Sequence, residues 1–159
     1  MASFIMRVLR RARGIDLPMR LEVCGLSDKG VGREQNEDAL YVIEHGRAVD
    51  GLDAFLAVAD GTGGHPGASR ASATAVETVG AMFAQSGTNH GSRHRTEGML
   101  ARATKEAVGE ANRRILQAGR KQPDHRGRGT TLTIAAVAGR SPWWRTWETA
   151  ERTWSVKGA

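Results

Sequence analysis

Val58-Ala59-Asp60-Gly61-Thr62-Gly63-Gly64-His65-Pro66-Gly67 is the stretch on which the fold turns. Ala54-Phe55-Leu56-Ala57 runs into it, so an unbroken apolar segment ends on an aspartate. A short continuous apolar run of this kind predicts a strand buried on both faces. The glycines and Pro66 that follow Asp60 predict a loop. Beyond the loop, Val76, Val79 and Phe83 recur at three- and four-residue steps and predict a helix over 68–84.

Working outward, Leu21 to Cys24 and Ala39 to Ile43 read as further strands, the second closed by His45-Gly46. A second helix is predicted over 96–118, with Leu100, Ala103, Ala107, Ala111 and Ile115 as its apolar stripe and Gly119 as its stop. Polar segments at 85–95 and 122–128 separate these elements. Thr130 to Val137 is the next strand, with Leu132, Ile134 and Ala136 on one face. Strands, then two helices, then a strand again indicate an α+β fold rather than a regular βαβ alternation.

Three segments follow: residues 1–20, a basic N-terminal extension; 21–138, the folded region; and 139–159, a tail of different character. Phe4, Ile5, Val8 and Leu9 among the arginines of the first segment fit a short amphipathic helix, and Met19 offers an alternative start. The stretch is too short and broken for a secretory signal.

With 159 residues the chain is long enough for one domain with one core. A single cysteine, Cys24, excludes an intramolecular disulfide and suits a reducing, cytoplasmic setting. No apolar run is long enough to be a transmembrane segment. The formal net charge of +6 raises the question of nucleic acid. Its arginines and lysines do not alternate with aromatic residues as a stacking platform requires, so no specific nucleic acid partner is expected. A dinucleotide fingerprint fails as well, because Pro66 stands where its third glycine belongs.

Chemistry concentrates in Arg33-Glu34-Gln35-Asn36-Glu37-Asp38-Ala39, in the stretch around Asp60, and in Gly127-Arg128-Gly129-Thr130-Thr131-Leu132. Carboxylates at the ends of neighbouring strands converge, and a carboxylate ending a buried run is costly unless a positive group meets it. Hard divalent cations take oxygen donors of the kind that Glu37, Asp38, Asp60 and the Gly61 carbonyl offer. Without a side chain, Gly61 admits close backbone approach. The planar guanidinium of Arg33 suits two phosphate oxygens. Read one at a time, Glu37-Asp38 is also an exposed acidic turn, Asp60-Gly61 a plain β-turn, and Arg33 a surface partner of Glu34.

Taken together, Ser27-Asp28-Lys29-Gly30 with Arg33, Asn36, Glu37 and Asp38, then Val58 to His65, then Gly129-Thr130-Thr131-Leu132, resemble the PPM family of metal-dependent, type 2C Ser/Thr protein phosphatases in their bacterial style. The resemblance covers about residues 21–137, the N-terminal part of such a domain. It implies part of a β-sandwich flanked by helices, incomplete in this chain, with two Mn2+ or Mg2+ ions in a cleft. By the same resemblance Asp60 bridges the metals, the Gly61 carbonyl binds one, and Glu37 and Asp38 bind directly or through water. Arg33 holds the substrate phosphate, and the partners are phosphorylated Ser/Thr proteins acted on by a monomeric enzyme. Thr62 departs from the pattern, standing where bacterial relatives carry Met and many eukaryotic ones His. The family's later acidic motifs have no counterpart. The runner-up is a non-enzymatic phosphatase-like module that binds phosphoproteins.

All four tryptophans, Trp143, Trp144, Trp147 and Trp154, fall in the last seventeen residues. Tryptophan has the single codon TGG. Read one base early, Trp143-Trp144 gives Val, Trp147-Glu148 gives Gly, and Glu148-Thr149 gives Asp or Asn. The shifted frame permits Val-Ala-His-Val-Gly-Asp-Ser-Arg-Ala-Tyr-Leu if Arg145 is encoded by CGN. That string resembles the strand motif the family carries next, and places a frameshift between about Val137 and Trp143.

Overall fold

The computed structural model describes residues 2–9, 20–44, 52–62, 66–85, 97–121, 129–138, 141–150 and 153–157. In chain order the elements are β1 (Ala2–Leu9), β2 (Arg20–Ser27), β3 (Asp38–Glu44), β4 (Ala54–Thr62), α1 (Pro66–Gln85), α2 (Glu97–Lys121), β5 (Gly129–Ala138), β6 (Ser141–Ala150) and β7 (Thr153–Lys157). An antiparallel sheet has the order β3-β4-β5-β6-β7, and β1 and β2 form a separate antiparallel pair.

Side chains alternate across the sheet. Phe55, Ala57 and Ala59 of β4 join Leu132, Ile134 and Ala136 of β5 in a core with the two helices. Ala54 and Leu56 join Val137 on the opposite face, where Val23 of β2 packs against them. Helices thus cover one face and the β1–β2 pair approaches the other. This accounts for the apolar run that precedes Asp60: both faces of β4 are buried, with Ala54, Phe55 and Ala57 fully enclosed. The architecture is α+β, a layer of two helices on a β-sandwich of which only part is present.

Pro66 opens α1, where its missing N–H has no partner to lose. Val76, Val79 and Phe83 are buried as their spacing predicts, and the Phe83 ring stacks on Phe55 with centroids 4.3 Å apart. On α2, Leu100, Ala107 and Ala111 are buried while Ala103 and Ile115 pack at the margin. Thr104, enclosed among them, donates to the Leu100 carbonyl at 2.7 Å and leaves no orphan hydroxyl.

Three sequence expectations are corrected. The N-terminal residues form a strand, not an amphipathic helix: Ala2–Leu9 pairs with β2 from Ala2–Ser27 to Leu9–Arg20. Gly119 does not stop α2, which continues to Lys121 and ends on Arg120 and Lys121, cations suited to a helix C-terminus. Asp60, Gly61 and Thr62 lie within β4 rather than in a loop or β-turn. Ser141–Ala150 of the tail pairs along β5 from Ala138–Ser141 to Thr130–Thr149. The expectations for residues 63–65, 86–96 and 122–128, including His65, lie outside the described residues.

Candidate functional site

Asp38 opens β3 and Asp60 lies near the end of β4, and the antiparallel register sets them directly opposite each other. On both strands the alternation places them on the face turned toward β2, beyond Leu40 and Val58, while Ala39 and Ala59 belong to the helix-side core. Like charges in such a cross-strand pair repel. Partial desolvation pushes the Asp60 carboxyl above the usual carboxylate range, and the charge and hydrogen bond of Asp38 push it further. The positive charge of Arg33 pulls it partly back.

Glu37 sits differently from its neighbour. Its side chain is buried and meets Arg33, with Nη1 to Oε2 at 3.4 Å. Its backbone carbonyl accepts from the Gly61 amide at 3.1 Å and from the Ser72 hydroxyl at 2.6 Å. The loop carrying Arg33 is shaped by local bonds. Gly30 has a φ of 73°, a left-handed conformation open to glycine, and donates to the Asp28 carboxylate at 2.6 Å. Asn36 donates to Ser27 Oγ at 2.7 Å and accepts from the Asp38 amide at 3.1 Å, tying the loop to the end of β2.

Gly61 is required by packing. A Cβ there would lie 2.5 Å from the Ala68 carbonyl oxygen and 2.7 Å from the Glu37 carbonyl oxygen. Helix α1 and the start of β3 therefore press on β4 immediately after Asp60. On the other side, Thr130 donates to the Asp60 carbonyl at 3.0 Å, and the Asp60 amide donates to Thr131 Oγ1 at 3.2 Å. Regular β4–β5 pairing runs from Ala54–Val137 to Val58–Thr133 and resumes at Gly61–Thr130 in the same register. Threonine hydroxyls serve the backbone of Asp60 in the interval. Thr62 Oγ1 adds a bond to the Gly129 carbonyl at 3.1 Å.

Of the residues singled out from sequence, Asp38 and Asp60 come together, Arg33 lies within electrostatic reach of Asp60 and pairs with Glu37, and Gly61 follows Asp60 and donates to the Glu37 carbonyl. Two facing carboxylates whose repulsion Arg33 offsets only in part fit an oxygen-seeking divalent cation. Among the described residues no group of three His, Cys, Asp or Glu is gathered as a metal site. Sequence reasoning did not reach Ser72, or the bonding roles of Thr130 and Thr131. The Gly129-Thr130-Thr131 segment was conspicuous, but its partner became visible only with the β4–β5 register. Nothing in the sequence distinguished Ser72 from other small residues of α1.

A sequence profile described as protein phosphatase 2C matches residues 31–144. No curated protein matches the chain. Similar solved structures include serine/threonine phosphatase Stp1 from Staphylococcus aureus, with a TM-score of 0.64 and 19% identity over 92% of this chain and 56% of that one. The S. agalactiae serine/threonine phosphatase gives 0.58 and 20%, over 92% of this chain and 48% of its own. The Mycobacterium tuberculosis serine/threonine phosphatase PstP/Ppp gives 0.58 and 22%, over 99% and 54%. At these identities the likeness establishes the fold. The chain spans about half the length of the structures it resembles.

Proposed function

The chain belongs to the protein phosphatase 2C family, and on that premise we propose that its complete domain removes phosphate from phosphoserine and phosphothreonine in proteins. The carrying observation is the Asp38–Asp60 pair, set face to face within reach of Arg33. Two acids that repel are stabilised by a cation, and a guanidinium beside them suits the phosphate such a cation would attract.

Metal dependence is general in this family, and Mn2+ or Mg2+ is the expected ion. Asp60, Asp38, the Gly61 carbonyl and Glu37 are the residues of this chain that would hold it, Glu37 while also paired with Arg33. A bound divalent pair supplies Lewis acidity, lowering the pKa of water and neutralising charge on a phosphoryl group. Arg33 orients the phosphate, and Glu37 limits the freedom of that arginine. Thr130, Thr131 and the close contact of α1 at Gly61 keep Asp60 from shifting as charge accumulates.

Residues 139–159 read best as translated out of frame, and on that reading no turnover is expected from the chain as written. The codon constraints of the tryptophans support this division. A cytoplasmic, monomeric protein is the corresponding setting. Among the described residues, no helix is long and apolar enough to cross a membrane. A second reading is a phosphoprotein-binding module without catalysis: among the described residues no three His, Cys, Asp or Glu side chains are gathered at one point.

The test is hydrolysis of a phosphothreonine peptide with Mn2+ or Mg2+, before and after addition of a chelator. It is run on this chain and on a version with the frame restored upstream of Trp143. Chelator-sensitive turnover by the restored version, absent from the chain as written, is expected. Phosphopeptide binding without turnover in both leaves the module reading in place of the enzyme.

A further inference from the structure

We propose that Ser72 is a positioning residue for the Arg33, Asp38 and Asp60 group, acting from α1 through the backbone carbonyl of Glu37. The inference rests on the phosphatase reading of that group and adds a residue to it. Ser72 is fully enclosed. A serine inside a helix commonly bonds back to its own preceding turn, and the Ser69 carbonyl is present for that at 3.0 Å. The shorter contact, 2.6 Å, leaves the helix and reaches the Glu37 carbonyl, 35 residues earlier in the chain.

That carbonyl occupies a pivotal place. The peptide group it belongs to joins Glu37, whose carboxylate holds Arg33, to Asp38, which faces Asp60. Because a peptide group is planar, fixing the direction of its carbonyl fixes the attitude of the whole unit. Two donors from different elements converge on it: the Gly61 amide from β4 at 3.1 Å and the Ser72 hydroxyl from α1. Ala68, one helical turn before Ser72, is the residue whose carbonyl oxygen a Cβ on Gly61 would meet first, at 2.5 Å. The same helix face therefore presses on the residue after Asp60 and grips the residue before Asp38. Loss of the hydroxyl leaves the Glu37 carbonyl with one donor and removes the hold of α1 on this peptide, whose Asp38 amide keeps its bond to Asn36.

Two variants of the full chain separate positioning from stability. Ser72→Ala removes the hydroxyl. Ala75→Gly loosens α1 at an enclosed position outside this group and serves as the control for a weakened helix. Amide hydrogen exchange without metal and titration with Mn2+ alone are measured on each. In Ser72→Ala the Gly61 amide is expected to exchange about tenfold faster relative to the core of α1, and Mn2+ to bind about tenfold more weakly. Ala75→Gly should leave both ratios near those of the parent chain. Unchanged relative protection of Gly61 in Ser72→Ala, or equal losses in both variants, overturns the proposal. A parent chain that binds no Mn2+ counts against the metal reading of the site, and the exchange measurement still decides the role of Ser72.

Discussion

Asp38 and Asp60 stand opposite each other across β3 and β4, so the sheet edge carries two facing carboxylates. Desolvation and then Asp38 raise the Asp60 carboxyl. A raised acid stabilises the fold below its unfolded pKa, near 3.8, and that contribution is lost as pH rises through the folded value. At neutral pH without metal, Asp60→Asn is therefore expected to raise the melting temperature, and at pH below about 3.8 to leave it unchanged. Melting curves at both pH values check this. Added Mn2+ should stabilise the parent chain and not the variant.

Gly61→Ala drives a methyl group into two backbone carbonyls, neither of which can rotate away as a side chain would. A loss of about 1–3 kcal/mol is expected from overpacking. Urea unfolding measures it. An unchanged midpoint would mean that α1 and the start of β3 yield to the methyl group.

Thr130→Val keeps the shape of the side chain and removes the donor to the Asp60 carbonyl. Loss of this part-buried bond predicts a loss of about 1 kcal/mol. Denaturant unfolding gives the total. The effect should shrink in an Asp60→Asn background if the bond serves to restrain the charged residue.

Glu110 on α2 receives hydrogen bonds from Arg113 and Arg114, at 2.6–2.8 Å, which lower its carboxyl to about 2. A lowered acid stabilises above its unfolded pKa, near 4.5, and the benefit fades as pH falls from there toward about 2. Glu110→Gln should flatten the acid limb of a stability-against-pH curve in that window by lowering the neutral plateau slightly, a small loss as befits an exposed ion pair, and leave the stability near pH 2 unchanged.

How far the sequence could be read depended on the range of the interactions involved. Helix periodicity at Val76, Val79 and Phe83 is local and was legible, as was the doubly buried β4, because its apolar run is continuous. Asp60 was conspicuous for ending that run. The N-terminal strand was not legible: Phe4, Ile5, Val8 and Leu9 have helical spacing, and only pairing with β2 selects the extended form. The strand character of Gly61 and Thr62 was hidden for a similar reason. Glycines signal a loop unless a neighbouring strand claims them, and here Thr130 and Gly129 do. Ser72 and Thr130 act across long sequence separations, so no local pattern marks them.

The interior position of β4, between β3 and β5, also bears on how the chain reaches this state. Its partner β5 arrives only after both helices, and the Asp60–Thr131 bond spans 71 residues. Closing so large a loop is slow compared with forming the adjacent β3–β4 pair or docking α1 on α2. The acidic pair is then assembled early, and its threonine restraints arrive late. A nascent chain would hold the two carboxylates in register before Thr130 and Thr131 join them, so kinetic protection of the Asp60 amide would report the closing event of folding.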